Sequence, residues 1–172
     1  MTPKLPPPET LHALLIEAVR AGDDEATGAL IRAGADIERA DGRGFTPLML
    51  AAYNGHPSTV RLLLGARARV DAPGDPRGAT ALIGVAFKGD EEVARALLDG
   101  GADPDAVNAV GQTALMTAVM FRRLGVARLL LGAGADPDRL DLAGASARNI
   151  AARQEDVETV ELLARSSRLP LS

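Results

Sequence analysis

Apolar positions in this chain fall in short stretches at helical spacing, each closed by a glycine or a charged residue. One stretch holds Val60, Leu62, Leu63 and Leu64, and its pattern returns at Ala94, Ala96, Leu97 and Leu98 and again at Ala127, Leu129, Leu130 and Leu131. Ahead of each lies a shorter stretch centred on a small pair: Ala51-Ala52, Val85-Ala86 and Ala118-Val119. Such pairs let a neighbouring helix approach closely. Gly55 and Gly89 separate the two kinds of stretch, which predicts antiparallel helices joined by tight turns. Thr46-Pro47 marks a helix start, because the hydroxyl can accept from an exposed amide and proline at the first helical position gives up a donor that has no partner there. Segments such as 37–45 carry turn residues without helical spacing and are expected to project as hairpin-like fingers between helix pairs.

Two independent markers keep one period. Gly34-Ala35-Asp36, Gly101-Ala102-Asp103 and Gly134-Ala135-Asp136 are joined by the degenerate copy Arg67-Ala68-Arg69, at intervals of 33, 34 and 33 residues. Thr46-Pro47-Leu48, Thr80-Ala81-Leu82, Thr113-Ala114-Leu115 and Ser146-Ala147-Arg148 follow at 34, 33 and 33, so one residue is inserted between Arg67 and Thr80. A fixed period of this length is the signature of a repeat architecture.

The unit resembles the ankyrin repeat, with its Asp-x-x-Gly-x-Thr-Pro-Leu-x-x-Ala-Ala-x-x-Gly-His run followed by Val-x-Leu-Leu-Leu-x-x-Gly-Ala-Asp. The second unit supplies Asp41, Gly44, Thr46, Pro47, Leu48, Ala51, Ala52, Gly55, His56, Val60 and Leu62 to Leu64. The resemblance implies an all-α repeat solenoid: stacked helix-turn-helix units with projecting β-hairpin-like fingers and a concave face. The organisation expected is a disordered proline-rich lead over residues 1–9, a repeat domain over 10–165 and a short tail over 166–172. The domain divides into units at about 10–40, 41–74, 75–107, 108–140 and 141–165, with the first and last resembling caps around three full repeats.

The chain departs from the family in three ways. Met49, Ile83 and Met116 replace the histidine that usually follows Thr-Pro-Leu, which predicts apolar packing in place of a hydrogen-bond network. Arg67 stands where the second helix normally ends on a left-handed glycine, and Arg122 where the turn between helices normally needs one. Each is either strained or differently built, and Gly125 is a candidate to relocate the fourth turn.

Composition narrows the chemistry. The 172 residues are 47% hydrophobic but only 2% aromatic, so the core must be filled by Ala, Leu, Val and Ile, which suits thin helical layers. Net charge is −4 and the only lysines are Lys4 and Lys88, which disfavours nucleic acid or an acidic membrane as partner. Apolar runs fall far short of the roughly 20 residues that cross a bilayer, and Pro3, Pro6, Pro7 and Pro8 break any secretory apolar stretch. A soluble, cytoplasmic monomer is expected. With no cysteine, and with His12 and His56 at non-equivalent positions, no metal site or nucleophile is assembled, and no cofactor is expected. His56 reads as a hydrogen-bonded turn residue. The acid pairs Asp36/Glu38, Asp103/Asp105 and Asp136/Asp138 could suggest cation ligands, but at one repeated turn position they read as turn stabilisers. Ser146 stands at the helix-capping position although Gly144-Ala145-Ser146 superficially resembles a nucleophile elbow, and Arg122-Arg123 is too short for a nucleic-acid patch.

One distribution exceeds these structural needs. Phe45, Tyr53, Phe87 and Phe121, all the aromatics of the chain, lie outside the repeated apolar framework; Tyr53, Phe87 and Met120 are one position in three successive units. The resemblance implies that these positions face the concave groove, as a stripe flanked by Arg43, Arg77, Lys88, Arg122 and Arg123. Aromatics beside arginine make a binding surface for a protein partner, whereas the same rings could instead fill gaps between alanine-lined helices. The expectation is a non-enzymatic protein-interaction module with no catalytic residue. The alternative is a regulatory subunit or small-molecule-binding component of an enzyme complex, in which Asp75 and Asp141 contribute chemistry.

Overall fold

Two columns of leucine run through the computed structural model, which describes residues 6–166. Leu15, Leu48, Leu82 and Leu115 come from the first helix of successive units, and Leu63, Leu97, Leu130 and Leu163 from the second; all eight are buried. The helices that carry them are α1 (Pro8–Ala21), α2 (Asp24–Arg32), α3 (Pro47–Tyr53), α4 (Pro57–Gly65), α5 (Ala81–Lys88), α6 (Glu91–Asp99), α7 (Ala114–Met120), α8 (Leu124–Gly132), α9 (Ala147–Arg153) and α10 (Val157–Ser166). Odd-numbered helices pack on one another in one row, even-numbered helices in a second, and each unit's two helices pack together. The small pairs work as expected, since Ala51, Ala52, Val85, Ala86, Ala118 and Val119 are all buried between rows. Met49, Ile83 and Met116 are buried beside them, so apolar packing does replace the usual histidine.

Starts of the first helices follow the sequence closely. Thr46, Thr80 and Thr113 each accept the amide three residues on, and Ser146 does so within a reciprocal capping box with Asn149. The unwound lead expected over residues 1–9 is shorter where it can be seen, because α1 begins at Pro8. Proline at the first position of a helix removes only an amide that would be unpaired. Residues 1–5 of that lead, and all of the 166–172 tail after Ser166, lie outside the described residues.

Every unit bends through the same left-handed positions. The turn between first and second helix holds Gly22, Gly55, Gly89, Arg122 and Glu155, all with positive φ, and the end of the second helix holds Gly34, Arg67, Gly101 and Gly134 in the same state. Arg67 (φ 70°) and Arg122 (φ 55°) therefore keep the family geometry at the expense of strain, and Glu155 (φ 53°) is a third such residue. Gly125 does not relocate the fourth turn. It lies inside α8, where the absence of a side chain makes room for the Glu91 carboxyl.

The turns are also tied from unit to unit. His56 Nε2–H donates to the Arg20 carbonyl at 3.0 Å, Arg123 Nε to that of Phe87 at 3.1 Å and Gln154 Nε2 to that of Met120 at 2.9 Å. His56 is thus a hydrogen-bonded turn residue, with its ring over Gly22 where any Cβ would collide. At the last described unit Arg148 occupies the leucine column; its guanidinium meets both oxygens of Asp138 at 2.7 and 3.2 Å and the Leu163 carbonyl at 3.2 Å.

A non-glycine residue in the left-handed region is disfavoured by about 1–2 kcal/mol. Replacing Arg67 by glycine is expected to stabilise the array by about 1 kcal/mol, because a flexible glycine recovers slightly less than the full penalty. Denaturant unfolding at unchanged slope should show a higher midpoint; an unchanged or lower midpoint would mean that the Arg67 conformation carries no strain.

Candidate functional site

The segments between units form a row of fingers, and each owes its shape to one side chain. Oδ1 of Asp41 accepts the amides of Arg43 (2.9 Å) and Phe45 (3.0 Å), and Oδ1 of Asp75 those of Arg77 (2.9 Å) and Ala79 (2.7 Å). Asn108 and Asp141 do the same for the residues two and four positions on. Adjacent fingers are joined by backbone hydrogen bonds, from Ala109 to Arg77 and from Leu142 to Val110, both 3.1 Å. They are built of turns rather than paired strands: among the described residues the one isolated β-bridge pairs Val107 with Thr113 in antiparallel fashion.

The paired acids form a second ladder. Asp36, Asp103 and Asp136 each accept the amide two residues on, while Glu38, Asp71 and Asp105 accept the amides of Arg69, Asp103 and Asp136 in the next unit. Turn stabilisation thus uses these carboxylates. Among the described residues no group of three or more His, Cys, Asp or Glu side chains is placed to hold a metal ion.

Between the fingers and the row of first helices runs a groove of about 870 Å³. Phe45, Tyr53 and Phe87 line it, as do Arg43 and Arg77. Tyr53 is 44% exposed and Phe87 40%, whereas Phe45 is half-buried and packs on the core. Arg43 lies over the Phe45 ring, 5.4 Å from its centroid, and Lys88 over Tyr53 at 4.7 Å, so both cations sit where an aromatic face attracts them. Phe121 stands edge-to-face against Phe87 with centroids 4.5 Å apart. Met120 and Phe121 are about as exposed as Phe87 but do not line the groove. Arg122 and Arg123 belong to the turn row: Arg123 is held on the Phe87 carbonyl, and Arg122 reaches the Gln154 carbonyl at 3.4 Å.

Sequence reasoning did not assign Arg20, Asn108, Gln112 or Gly84 to the groove. Arg20, at the end of α1, enters it while paired with Asp41. Asn108 and Gln112 add neutral polar groups from the third finger, joined to each other through Asn108 Nδ2 and Gln112 Oε1 at 3.3 Å. Gly84 opens the floor beside Met49, and the signal for it was present in the aligned units, where Leu50, Thr117 and Ile150 take the same position.

Electrostatics separates the carboxylates. Asp41 is pushed up by burial, but the amides of Phe45 and Arg43 and the Arg20 guanidinium outweigh this and hold its pKa below the ordinary value. Asp138 is lowered chiefly by its hydrogen bonds with Arg148, whose own pKa is raised by the same pairing. Asp71 is the exception: burial, reinforced by the charge of Asp103, raises it despite the hydrogen bond from the Asp103 amide.

A family model described as ankyrin repeats matches residues 15–108, 68–141 and 84–169. Among curated proteins, the chain is similar to protein phosphatase 1 regulatory subunit 27 of Mus musculus, 39% identical over 71 residues that make up 39% of this chain and 46% of the relative. The Homo sapiens protein of that name is 41% identical over 70 residues, 38% of this chain and 46% of the relative. The Bos taurus mitochondrial disaggregase is 39% identical over 61 residues, which are 36% of this chain and 9% of that protein. The chain thus spans less than half the length of these relatives.

Asp71 generates a pH prediction. Its folded pKa lies above its unfolded one, so the ionised carboxylate opposes folding near neutrality, and that opposition fades as pH falls through the folded pKa towards the unfolded value near 4. Asp71→Asn keeps an oxygen acceptor for the Asp103 amide and removes the charge. Thermal melts should show the variant at least as stable as the parent at pH 7, with the difference shrinking towards pH 4; a less stable variant at pH 7 would contradict this.

Proposed function

Because the chain belongs to the ankyrin repeat family, we propose that it acts without catalysis as a protein-interaction module, holding a protein partner in the groove between the fingers and the first helices. The observation that carries this reading is the exposure of Tyr53 and Phe87 on the groove wall, beside Arg43, Arg77 and Lys88, in a chain with only four aromatic residues. Large rings that were needed only to fill space between helices would be covered by them. Aromatic anchors next to arginine are the residue types that dominate binding energy at interfaces. A repeat array supplies the rest, since stacking fixes the fingers and helices as a continuous preformed surface.

Phe121 extends the apolar stripe by steadying Phe87, and Met120 lies beside it. In this reading Arg43, Arg77 and Lys88 steer and orient the partner, while Arg122 and Arg123 hold the turns behind the rings. The protein in this reading works as a monomer, since one copy carries the whole groove, and its place is the cytoplasm. Its similarity to proteins named as regulatory subunits of protein phosphatase 1 favours a narrower second reading, a regulatory subunit in an enzyme complex; direct binding to that phosphatase would separate the two.

Two outcomes follow. Tyr53→Ala combined with Phe87→Ala should abolish capture of the partner from source-cell extract, because truncating a buried anchor commonly costs about 2 kcal/mol or more of binding. Melting should fall by only a few degrees, reflecting loss of the Phe87–Phe121 contact, which is worth about 0.5–1.5 kcal/mol. Early melting would make the rings core, and binding retained by the folded variant would move the interface elsewhere. No hydrolytic or transfer activity is expected to survive repurification, since the carboxylates of Asp75 and Asp141 each already take two backbone amides. Turnover lost on mutating either residue would overturn the non-catalytic reading.

A further inference from the structure

The groove has a notch in its floor. The position that holds Leu50, Thr117 and Ile150 in other units is glycine in the third, at residue 84 in the middle of α5. Glycine inside a helix is unfavourable for the helix itself, and its local return here is room for the buried Met49 side chain. It also leaves no side chain of its own in the groove that Tyr53 and Phe87, the two exposed rings, line. Met49, itself buried, packs against this position: a Cβ on Gly84 would lie 3.0 Å from Met49 Sδ and 3.6 Å from its Cε. A thioether is flexible and polarisable, and adapts to whatever apolar group enters above it.

The mouth of this notch is cationic although the chain is acidic. Arg20, Arg43 and Arg77 line the groove and Lys88 stands over Tyr53 at its edge. Against them stand Asp75 in the lining and Asp41, which pairs with Arg20 and lies 3.8 Å from Arg43 Nε. Basic groups thus outnumber acids here, whereas the whole chain carries −4. An apolar floor below a basic mouth is complementary to an apolar side chain flanked by carboxylates. The finger edges cannot add a continuous strand ladder, because neighbouring fingers already use backbone groups on each other. Recognition therefore falls to side chains.

We propose that the notch above Gly84 is a socket for one large apolar side chain of an acidic, extended segment of the partner protein, with Arg43 and Arg77 receiving the flanking carboxylates. This rests on the reading of the groove as the binding face and specifies what that face selects. The glycine sets specificity by leaving only the adaptable Met49 thioether at the base of the socket, and the rings of Tyr53 and Phe87 grip the side chain that enters it. The second and fourth units offer no such socket, since Leu50 and Thr117 fill the equivalent space.

The experiment selects random linear peptides displayed on phage against the full chain, then measures the selected peptides by fluorescence anisotropy. The expected peptides carry an aromatic or long aliphatic residue next to Asp or Glu, and their binding weakens as ionic strength rises. Gly84→Leu, which restores the residue of the second unit, should weaken them by about tenfold or more, a loss typical of blocking an anchor pocket. Gly84→Ala should fall between, and Arg43→Glu with Arg77→Glu should lower affinity while the chain stays folded, with a melt lowered slightly by loss of the Arg43 contacts with Phe45 and Asp41. If Gly84→Leu melts early, the alanine variant and the charge reversals decide. Peptides that lose binding on Tyr53→Ala with Phe87→Ala, yet ignore the Gly84 and arginine variants, overturn the socket and leave the groove reading standing. Peptides insensitive to all of these variants overturn both. Enrichment of basic sequences, no enrichment at all, or displacement of the peptides by a dT oligonucleotide also overturns the socket.

Discussion

No unit of this protein can close its own core. The leucine each second helix contributes, such as Leu97 or Leu130, is covered by its own unit and by the helices of neighbouring units, and full burial of such a side chain favours the stacked state by about 1.5–3 kcal/mol. Everything else is subordinate to that stacking. The small pairs of the first helices are small because the next unit must come close, and Arg148 breaks the leucine column only at the last described unit, where it turns to Asp138 and a backbone carbonyl.

Stacking demands that every unit return to the same orientation, and the turns deliver this. Three positions in each central unit, and two in the first and last, take the left-handed conformation, and the chain retains it even where arginine or glutamate stands in place of glycine. Inter-unit bonds from His56, Arg123 and Gln154 to turn carbonyls, and from finger amides to Glu38, Asp71 and Asp105, show why. A unit that released its strain by another turn would lose its bonds to its neighbour. The same constraint turns the acids of the fingers into structural groups, which is why Asp75 and Asp141 are occupied by backbone amides.

The fold was legible because it repeats: two markers in one register located the helix pairs, the turns and the caps Thr46, Thr80, Thr113 and Ser146. The site was legible only in part. Tyr53 and Phe87 stood out because they are large residues where the framework asks for none. Gly84 did not, since the feature is a missing side chain, and glycine in this sequence is common enough to pass as a turn residue. Arg122 and Arg123 were expected to flank the aromatic stripe that the family resemblance implies. Their guanidinium groups instead hold turn carbonyls, which spacing along the chain does not reveal. Glu155 escaped notice for a similar reason, because its backbone strain becomes visible only when the last unit is seen to keep the turn of the others.

In the function proposed, stacking leaves one preformed face for a partner, between the fingers and the first helices. Hydrogen–deuterium exchange of the full chain, alone and with the protein it captures, tests this directly. Added protection should concentrate in residues 43–54, 77–88 and 108–117, the fingers and first helices around the groove, with α4, α6 and α8 exchanging as they do in the free chain. Protection confined to those second helices, with the groove unchanged, would contradict it.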